Sequence, residues 1–459
     1  MNKKTILFYS LGAFGKNVMY AMSSVLQVFY TAFLGINPLF IGMMFMVVRI
    51  WDAVNDPIMG KIVQNTKTRF GKFRPWILIG SLINSVVLLF VFKVPDLESN
   101  SALMLVYVSF VYTIWGMSYT LADIPFWSML PTFSKNQKDR EKVTISARIG
   151  AQMGLAVVGA PYLVIVKLLG RGDSLQQMIE GFFRLAVAVS IVFVITQVLV
   201  FVFVKDKYSS SEEDAMSLKE MIKSLRENDQ LMVVAGVVLL FNSVIFMTST
   251  VAFYYIKYDL GEVALFGKTF DYAVFNMIFI ATGFLVQLIS MASYQIYSVR
   301  MKRKKLFELG IVISVVGFVL LFMNAFVFGN NVYGLILYTS IVFYGLGLLM
   351  IAQTVLLVDT VEYGEWKSGK RSESLVFSIQ TFVVKLATGL SMGFVGIGLS
   401  IVNFDASLDF QSTKTIMGIR VMMFILPIIG ILLALKIFRS NHKLDEEMFE
   451  SIMIDLENR

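Results

Sequence analysis

The chain has 459 residues, 57% of them hydrophobic, with a mean hydropathy of +0.72 and only 16% charged. A water-soluble domain carries about 25% charged residues to cover its surface, so that class is excluded and an integral membrane protein remains. With no Cys and a single His, disulfides, zinc sites and Ser/His or Cys/His catalysis inside the membrane are excluded as well.

A helical span takes about 20 apolar residues. Apolar runs between polar breaks predict twelve helices, near 8–34, 37–62, 75–94, 102–131, 144–168, 177–204, 231–257, 270–298, 306–328, 332–362, 373–401 and 415–438. The runs are continuous instead of alternating, which disfavours a barrel and predicts an all-α membrane protein. Lys and Arg sort unevenly between the two sides: 28 fall on one side, at both chain ends and in 61–74, 135–142, 205–226, 300–305 and 367–371. The other side holds six, Lys93, Lys167, Arg171, Lys257, Lys268 and Lys414. This asymmetry predicts that both termini are cytoplasmic. The net charge of +8 is therefore a topology signal, and nucleic acid is not expected as a partner.

Residues 1–204 and 231–438 read as two bundles of six helices, separated by the polar segment 205–230 and followed by a cytoplasmic tail, 439–459. In the middle segment Ser217 and Glu220 form a capping box, and Leu218, Met221, Ile222 and Leu225 recur on one helical face. In the tail Leu444, Met448, Ile452 and Leu456 fall four apart among acids, predicting a helix lying on the cytoplasmic face. His442 reads as a solvated tail residue. The first apolar run contains Lys16 and lacks a small-residue cleavage site, so no cleavable signal is expected.

Ionisable residues at bilayer depth each cost about 2.5–3.5 kcal/mol on insertion scales, so they mark cavities, ion pairs or pathways. Span one opens on GAFGKNV, with Lys16 and Asn17; Lys16 either snorkels to the interface or serves the interior. Span two reads RIWDAVNDPIMG and places Asp52 and Asp56 four apart on one face, with Asn55 nearby. Two carboxylates and an amide oxygen make a hard-oxygen cluster suited to an alkali cation or a proton; ion pairing with Arg49 or Lys385 is the structural alternative. Pro57 removes a backbone donor, which frees a carbonyl beside the carboxylates.

Span four, SYTLADIPFWSMLP, puts Tyr119, Asp123 and Trp127 on one face, with Thr120 on a neighbouring strip. A carboxylate beside an indole suits a sugar: the acid accepts two hydroxyl hydrogen bonds and the ring covers the C–H face of a pyranose. In span five, SARIGAQMG, Arg148 can hold hydroxyls or Asp123, and Gly150 and Gly154 predict close helix packing. Span eleven, SIQTFVVKLATG, carries Lys385 with Thr381 one turn earlier, and Lys385 can offset the Asp52/Asp56 charge. DTVEYGEWKSGKR mixes acids and bases; Asp359, Glu362 and Arg371, with Arg140 before span five, form a candidate cytoplasmic gate of ion pairs across the halves.

Along essentially its whole length the chain resembles the glycoside–pentoside–hexuronide:cation symporters, most closely the sodium-coupled melibiose permeases. The strings that carry the resemblance are RIWDAVNDPIMG, RFGKFRPWILIG, WGMSYTLADIPFWS, NDQL and DTVEYGEWK. It implies a major-facilitator fold of two six-helix bundles working by alternating access, in the cell membrane, with no enzymatic activity. It also implies a sodium site at Asp52, Asn55, Asp56 and Thr120, and a sugar site that includes Lys16, Asp123, Trp127 and Arg148. In the same way it implies that Lys385 links the halves near the cation. The expected coupling ion is Na+, or else H+ or Li+, with no other cofactor; the expected partners are a small glycoside and membrane lipid, with a monomer sufficient for function. A proton-coupled pentoside or hexuronide symporter of the same fold is the alternative. Two departures bear on the sugar: Asn17 stands where melibiose permeases have an acid, and Met350 where they have a Trp. The chain also stops after a short tail, so no appended regulatory domain is expected.

Overall fold

The computed structural model describes residues 3–457 except 96, 99, 134–136, 206–225 and 370–372. At positions 53, 54, 57, 64, 131, 137–141, 373–375, 377, 378 and 457 it describes the backbone alone. The chain forms two compact units, one within residues 1–215 and one comprising 216–404 and 408–459.

The first unit contains α1 (Lys3–Val28), α2 (Pro38–Asn65), α3 (Arg74–Phe92), α4 (Ala102–Ser128), α5 (Gln137–Gly159), α6 (Tyr162–Gly170) and α7 (Leu175–Phe203). Their starts are written in the sequence. Asn37 caps α2 with Pro38 at its first position, Ser101 caps α4, and Ser174 and Gln177 form a reciprocal capping box on α7. The expected single span 144–168 is corrected to a broken one. α5 and α6 meet at a 52° bend, because Pro161 lacks an N–H and clashes with the preceding turn. α2, by contrast, runs on through position 57.

The interior of this unit is set by α1. A Cβ added at Gly150 would stand 2.4 Å from Ser10 O, and one at Gly154 would stand 2.2 Å from Phe14 O, so α5 lies directly on the backbone of α1. Tyr9 stacks on Phe126 with ring centroids 4.3 Å apart and donates its hydroxyl to Phe126 O at 2.5 Å, fixing α1 against α4. Asn84 on α3 donates to Trp115 O and Ser118 Oγ, both at 2.8 Å, fixing α3 against α4. On its outer face α4 shows Leu103, Val106 and Phe110, all exposed. That is the pattern of a helix facing lipid.

The second unit contains α8 (Asp229–Tyr255), the hairpin β1 (Val263–Leu265) and β2 (Lys268–Phe270), α9 (Tyr272–Ser298), α10 (Arg303–Phe326) and α11 (Val332–Ser368). It continues with α12 (Glu373–Ile401), α13 (Thr413–Arg420), α14 (Leu426–Asn441) and α15 (Glu446–Glu457). Arg420 holds Asp259 with two hydrogen bonds, 2.7 and 2.8 Å, and a third to Ala325 O at 2.9 Å. Three segments of this unit are tied together there.

The tail does form a helix. In α15 and the residue pair before it, Leu444, Met448, Ile452 and Leu456 pack on Tyr363 and Trp366 of α11, and Trp366 donates to Asp455 at 3.0 Å. His442 corrects the sequence expectation: it is buried, its ring stacks on Phe438 at 4.5 Å, and neither ring nitrogen has a hydrogen-bond partner among the described residues. Burial, with Lys304 as a second cause, pushes its pKa down to about 4, against the opposing pull of Asp445 and Glu446.

Among the described residues nine helices are long and apolar enough to cross a membrane, or ten if α5 and α6 form one span. The remaining two expected spans are α1 and α2, of 26 and 28 residues. Both have the length, and both are diluted by charge: Lys16 in α1, and Arg49, Asp52 and Asp56 in α2.

Candidate functional site

The first cluster lies between α2 and α4. Asp52 and Asp56 are one turn apart on α2, and Gly116 and Thr120 are one turn apart on α4. The two helices are in register at these pairs. A Cβ at Gly116 would stand 3.0 Å from Asp52 Oδ1, and Thr120 donates its hydroxyl to Asp56 Oδ1 at 3.3 Å. Arg49, one turn before Asp52, donates from Nη1 to Asp52 Oδ2 at 3.0 Å, with both side chains buried. The structural alternative raised for Asp52 is therefore realised with Arg49. Asp52 Oδ1, also buried, has no hydrogen-bond partner among the described residues. Asn55 is half-buried beside them. Arg49 thus balances Asp52, one of the two carboxylates of the cluster.

The second cluster begins one turn further along α4. Lys16 is almost wholly buried, with 2% of its surface exposed, and forms an ion pair with Asp123, so it does not snorkel. Its ammonium lies 4.4 Å from the centre of the Trp127 ring and 5.3 Å from that of Phe126. The Arg148 guanidinium lies 4.6 Å from the same Trp127 ring. Two cations thus share one indole, an arrangement stabilised by its negative face. Tyr119 is one turn before Asp123, its ring 5.8 Å from that of Tyr20. Asn17 donates its amide to Ala13 O of its own helix at 3.1 Å.

Other residues anticipated from sequence lie in the second unit. Thr381 is exposed and Lys385 half-buried on α12. Met350 of α11 accepts from Gln287 at 3.7 Å. Asp359 pairs with Arg303 at the start of α10, inside its own unit. The same Arg303 lies 4.8 Å from the Phe449 ring and donates its backbone N–H to Glu446 at 2.6 Å. Arg303 was missed because the basic run RMKRKK reads as a topology signal only. Glu362 is on the same helix as Asp359. The Arg140 side chain, Arg371 and the Ser217/Glu220 capping box lie outside the described residues.

Residues 8–445 match the family described as MFS/sugar transport protein. The chain belongs to that family. It is therefore a multi-pass transporter of the cell membrane and not an enzyme, and the resemblance to the glycoside–pentoside–hexuronide:cation symporters is borne out. Its relatives include the "Uncharacterized symporter YjmB" of Bacillus subtilis, 26% identical over all of this chain and 96% of the relative. The "Lactose permease" of Lactobacillus delbrueckii subsp. bulgaricus is 29% identical over all of this chain and 73% of its own length. The "Isoprimeverose transporter" of Lactiplantibacillus pentosus is 25% identical over 92% and 85%. Among solved structures, a bacterial homologue of the human lysosomal transporter Spinster aligns with a TM-score of 0.66 at 11% identity, covering 96% of this chain and 97% of the other. The nucleoside transporter NupG gives 0.62 at 12% identity, covering 95% and 99%. At those identities the likeness establishes the major-facilitator fold.

Proposed function

We propose that this member of the MFS/sugar transport family is a secondary symporter. In this reading it couples the entry of a sugar or glycoside to one monovalent cation, sodium first, by exposing the site alternately to the two faces of the membrane. The observation that carries the reading is the order of residues along α4. Gly116 and Thr120 face the two α2 carboxylates; one turn on, Asp123 meets Lys16, and two turns on, Trp127 meets Lys16 and Arg148. Asp52, Asn55, Asp56 and Thr120 offer only oxygen ligands, the donor set for a hard alkali ion. Sodium, when bound, would place a positive charge between the two carboxylates. Asp123 and the Lys16 ammonium offer an acceptor and donors for sugar hydroxyls, and Trp127 an apolar face for the ring. The names of the lactose and isoprimeverose carriers support a sugar as cargo.

Because Thr120 and Asp123 belong to one rigid helix, ordering the first favours the geometry of the second. The two affinities are then coupled, and the coupling is reciprocal. The test is uptake of a glycoside panel in membrane vesicles with and without sodium at two pH values, with Asp56→Asn alongside. Sodium-stimulated uptake that is lost in Asp56→Asn is expected. Sugar affinity that is unchanged by removing sodium at fixed pH would sink the coupling.

One observation favours a second reading, proton coupling. Arg49 already balances Asp52, so a proton in place of sodium would need to discharge only Asp56. Uptake driven by a pH gradient alone would select it.

A further inference from the structure

Residues 57–95 contain no Asp or Glu, and Lys67, Arg69, Lys72 and Arg74 stand together at the turn from α2 into α3. Hydrogen bonds hold that turn in one shape. Thr66 donates to Ile62 O and accepts from Trp76 Nε1, both at 2.8 Å, which ties the turn to the first coil of α3. Thr68 accepts from the Phe70 N–H at 3.2 Å and donates to Gly71 O at 2.7 Å, and Gly71 adopts a φ of +97° that favours glycine. Lys67 and Arg69 are thus presented on a fixed frame. Both are exposed, and neither pairs with an acid among the described residues. Phe73, at the cap position of α3, offers that helix no side-chain acceptor, so the positive end of its dipole is left to the turn.

Apolar surface continues from the turn into the membrane. Phe70 is exposed, with the Arg69 guanidinium 4.6 Å from its ring centre and the Phe201 ring of α7 at 5.4 Å. Arg74 donates to Phe201 O at 3.0 Å. Further along, Ser85 of α3 and Ser190 of α7 each donate to the other's carbonyl. Beyond the turn, Ile79, Ile83 and Val86 of α3 and Val202 of α7 are exposed, as on helices that face acyl chains.

A soluble phosphate would use the charges alone, whereas a phospholipid uses the charges and the apolar stripe together. A zwitterionic headgroup would bring an ammonium to a turn that has no acid to receive it. We infer that the α2–α3 turn binds the headgroup of an anionic phospholipid, in the leaflet on the side where Lys and Arg accumulate. Lys67 and Arg69 meet the phosphate, and Phe70 lies where headgroup gives way to chain. The site is independent of the cargo and of the coupling ion. It bears on transport through α3. A Cβ added at Gly80 would stand 2.6 Å from Ala122 N, so α3 lies against the backbone of α4 between Thr120 and Asp123. A headgroup that steadies the foot of α3 steadies that seat.

The test titrates the full purified chain with dioleoylphosphatidylglycerol or with dioleoylphosphatidylcholine, counting bound lipids by native mass spectrometry. Melting temperature is read in nanodiscs of the same two lipids. The first molecule of the anionic lipid is expected to bind tenfold or more tighter than that of the zwitterionic one, and to raise the melting temperature. The double variant Lys67→Gln, Arg69→Gln should lose this preference. The double variant Lys302→Gln, Lys305→Gln, which discharges two exposed lysines before and within α10 on the same predicted side, should keep it. Equal binding of the two lipids by the parent, or equal loss of preference in both double variants, would overturn the site. So would a shift of melting temperature by glycerol 3-phosphate as large as that by the anionic lipid, since the turn would then take a soluble phosphate.

Discussion

At the scale of single residues, the site turns on atoms that have no room or no partner. Gly116 is the clearest: a Cβ there would press on the one Asp52 oxygen left unpaired. Gly116→Ala is expected to lower sodium-stimulated uptake tenfold or more while the protein still folds, read by uptake beside a melting curve. Thr120→Val removes one hydrogen bond worth about 0.5–1.5 kcal/mol, so apparent sodium affinity in transport should fall roughly 2–12-fold. Arg49→Gln leaves Asp52 buried without its cation, a loss of about 3–5 kcal/mol in sodium-free buffer. Sodium should restore part of this, and choline should not. If sodium stabilises the variant no more than the parent, the cation does not share Asp52. Much of this site is legible in the sequence, because Lys16, Asp52, Asp56 and Asp123 are charges in apolar runs where charge is costly. Gly116 is not legible. Among 32 glycines nothing marks it until the register of α2 against α4 is known.

At the scale of elements, close packing and burial decide what each helix can tolerate. Gly154→Leu would wedge α5 away from Phe14 of α1, two residues before Lys16. Overpacking of this kind costs about 1–3 kcal/mol, so a lowered melting temperature is expected together with weakened sugar binding. The tail gives a pH prediction. His442 is neutral and buried, with a folded pKa of about 4, below its unfolded value. Its contribution is complete above about pH 6.5 and is lost as the pH falls toward 4, on the order of 3 kcal/mol at most. His442→Phe keeps the ring on Phe438 without titrating. The difference in melting temperature between parent and variant should therefore change across that window and be flat above pH 7. The sequence places the helix of the tail through its four-residue spacing, yet it also suggests that His442 is solvated. Tail polarity is a local signal, whereas the burial of His442 comes from a helix end that only the tertiary fold supplies. For the same reason Arg303 and Asp359, 56 residues apart, are not recognisable as partners from sequence.

At the scale of the whole molecule, fold class was readable because hydropathy is a sum over many residues and is insensitive to any one of them. Span boundaries were less so: the bend at Pro161 was visible as a proline but its angle was not. The asymmetry of Lys and Arg carries a prediction of topology that can be tested cleanly, since the chain has no cysteine background. Lys414→Cys and Ser451→Cys are both exposed positions. A membrane-impermeant maleimide should label the first in intact cells and the second only after permeabilisation. The reverse order would invert the orientation.

The alignment of both clusters on α4 has a consequence for how this chain can change over time. Point substitutions alter one ligand position each, but a length change between Thr120 and Asp123 would act on all of them at once. One inserted alanine would turn everything after it by about 100° and advance it by about 1.5 Å. Asp123 and Trp127 would be carried off Lys16 and Arg148 with every residue still present. The stretch from Gly116 to Trp127 should therefore accept replacements between its site residues, Gly116, Thr120, Asp123 and Trp127, while rejecting insertions and deletions anywhere along it.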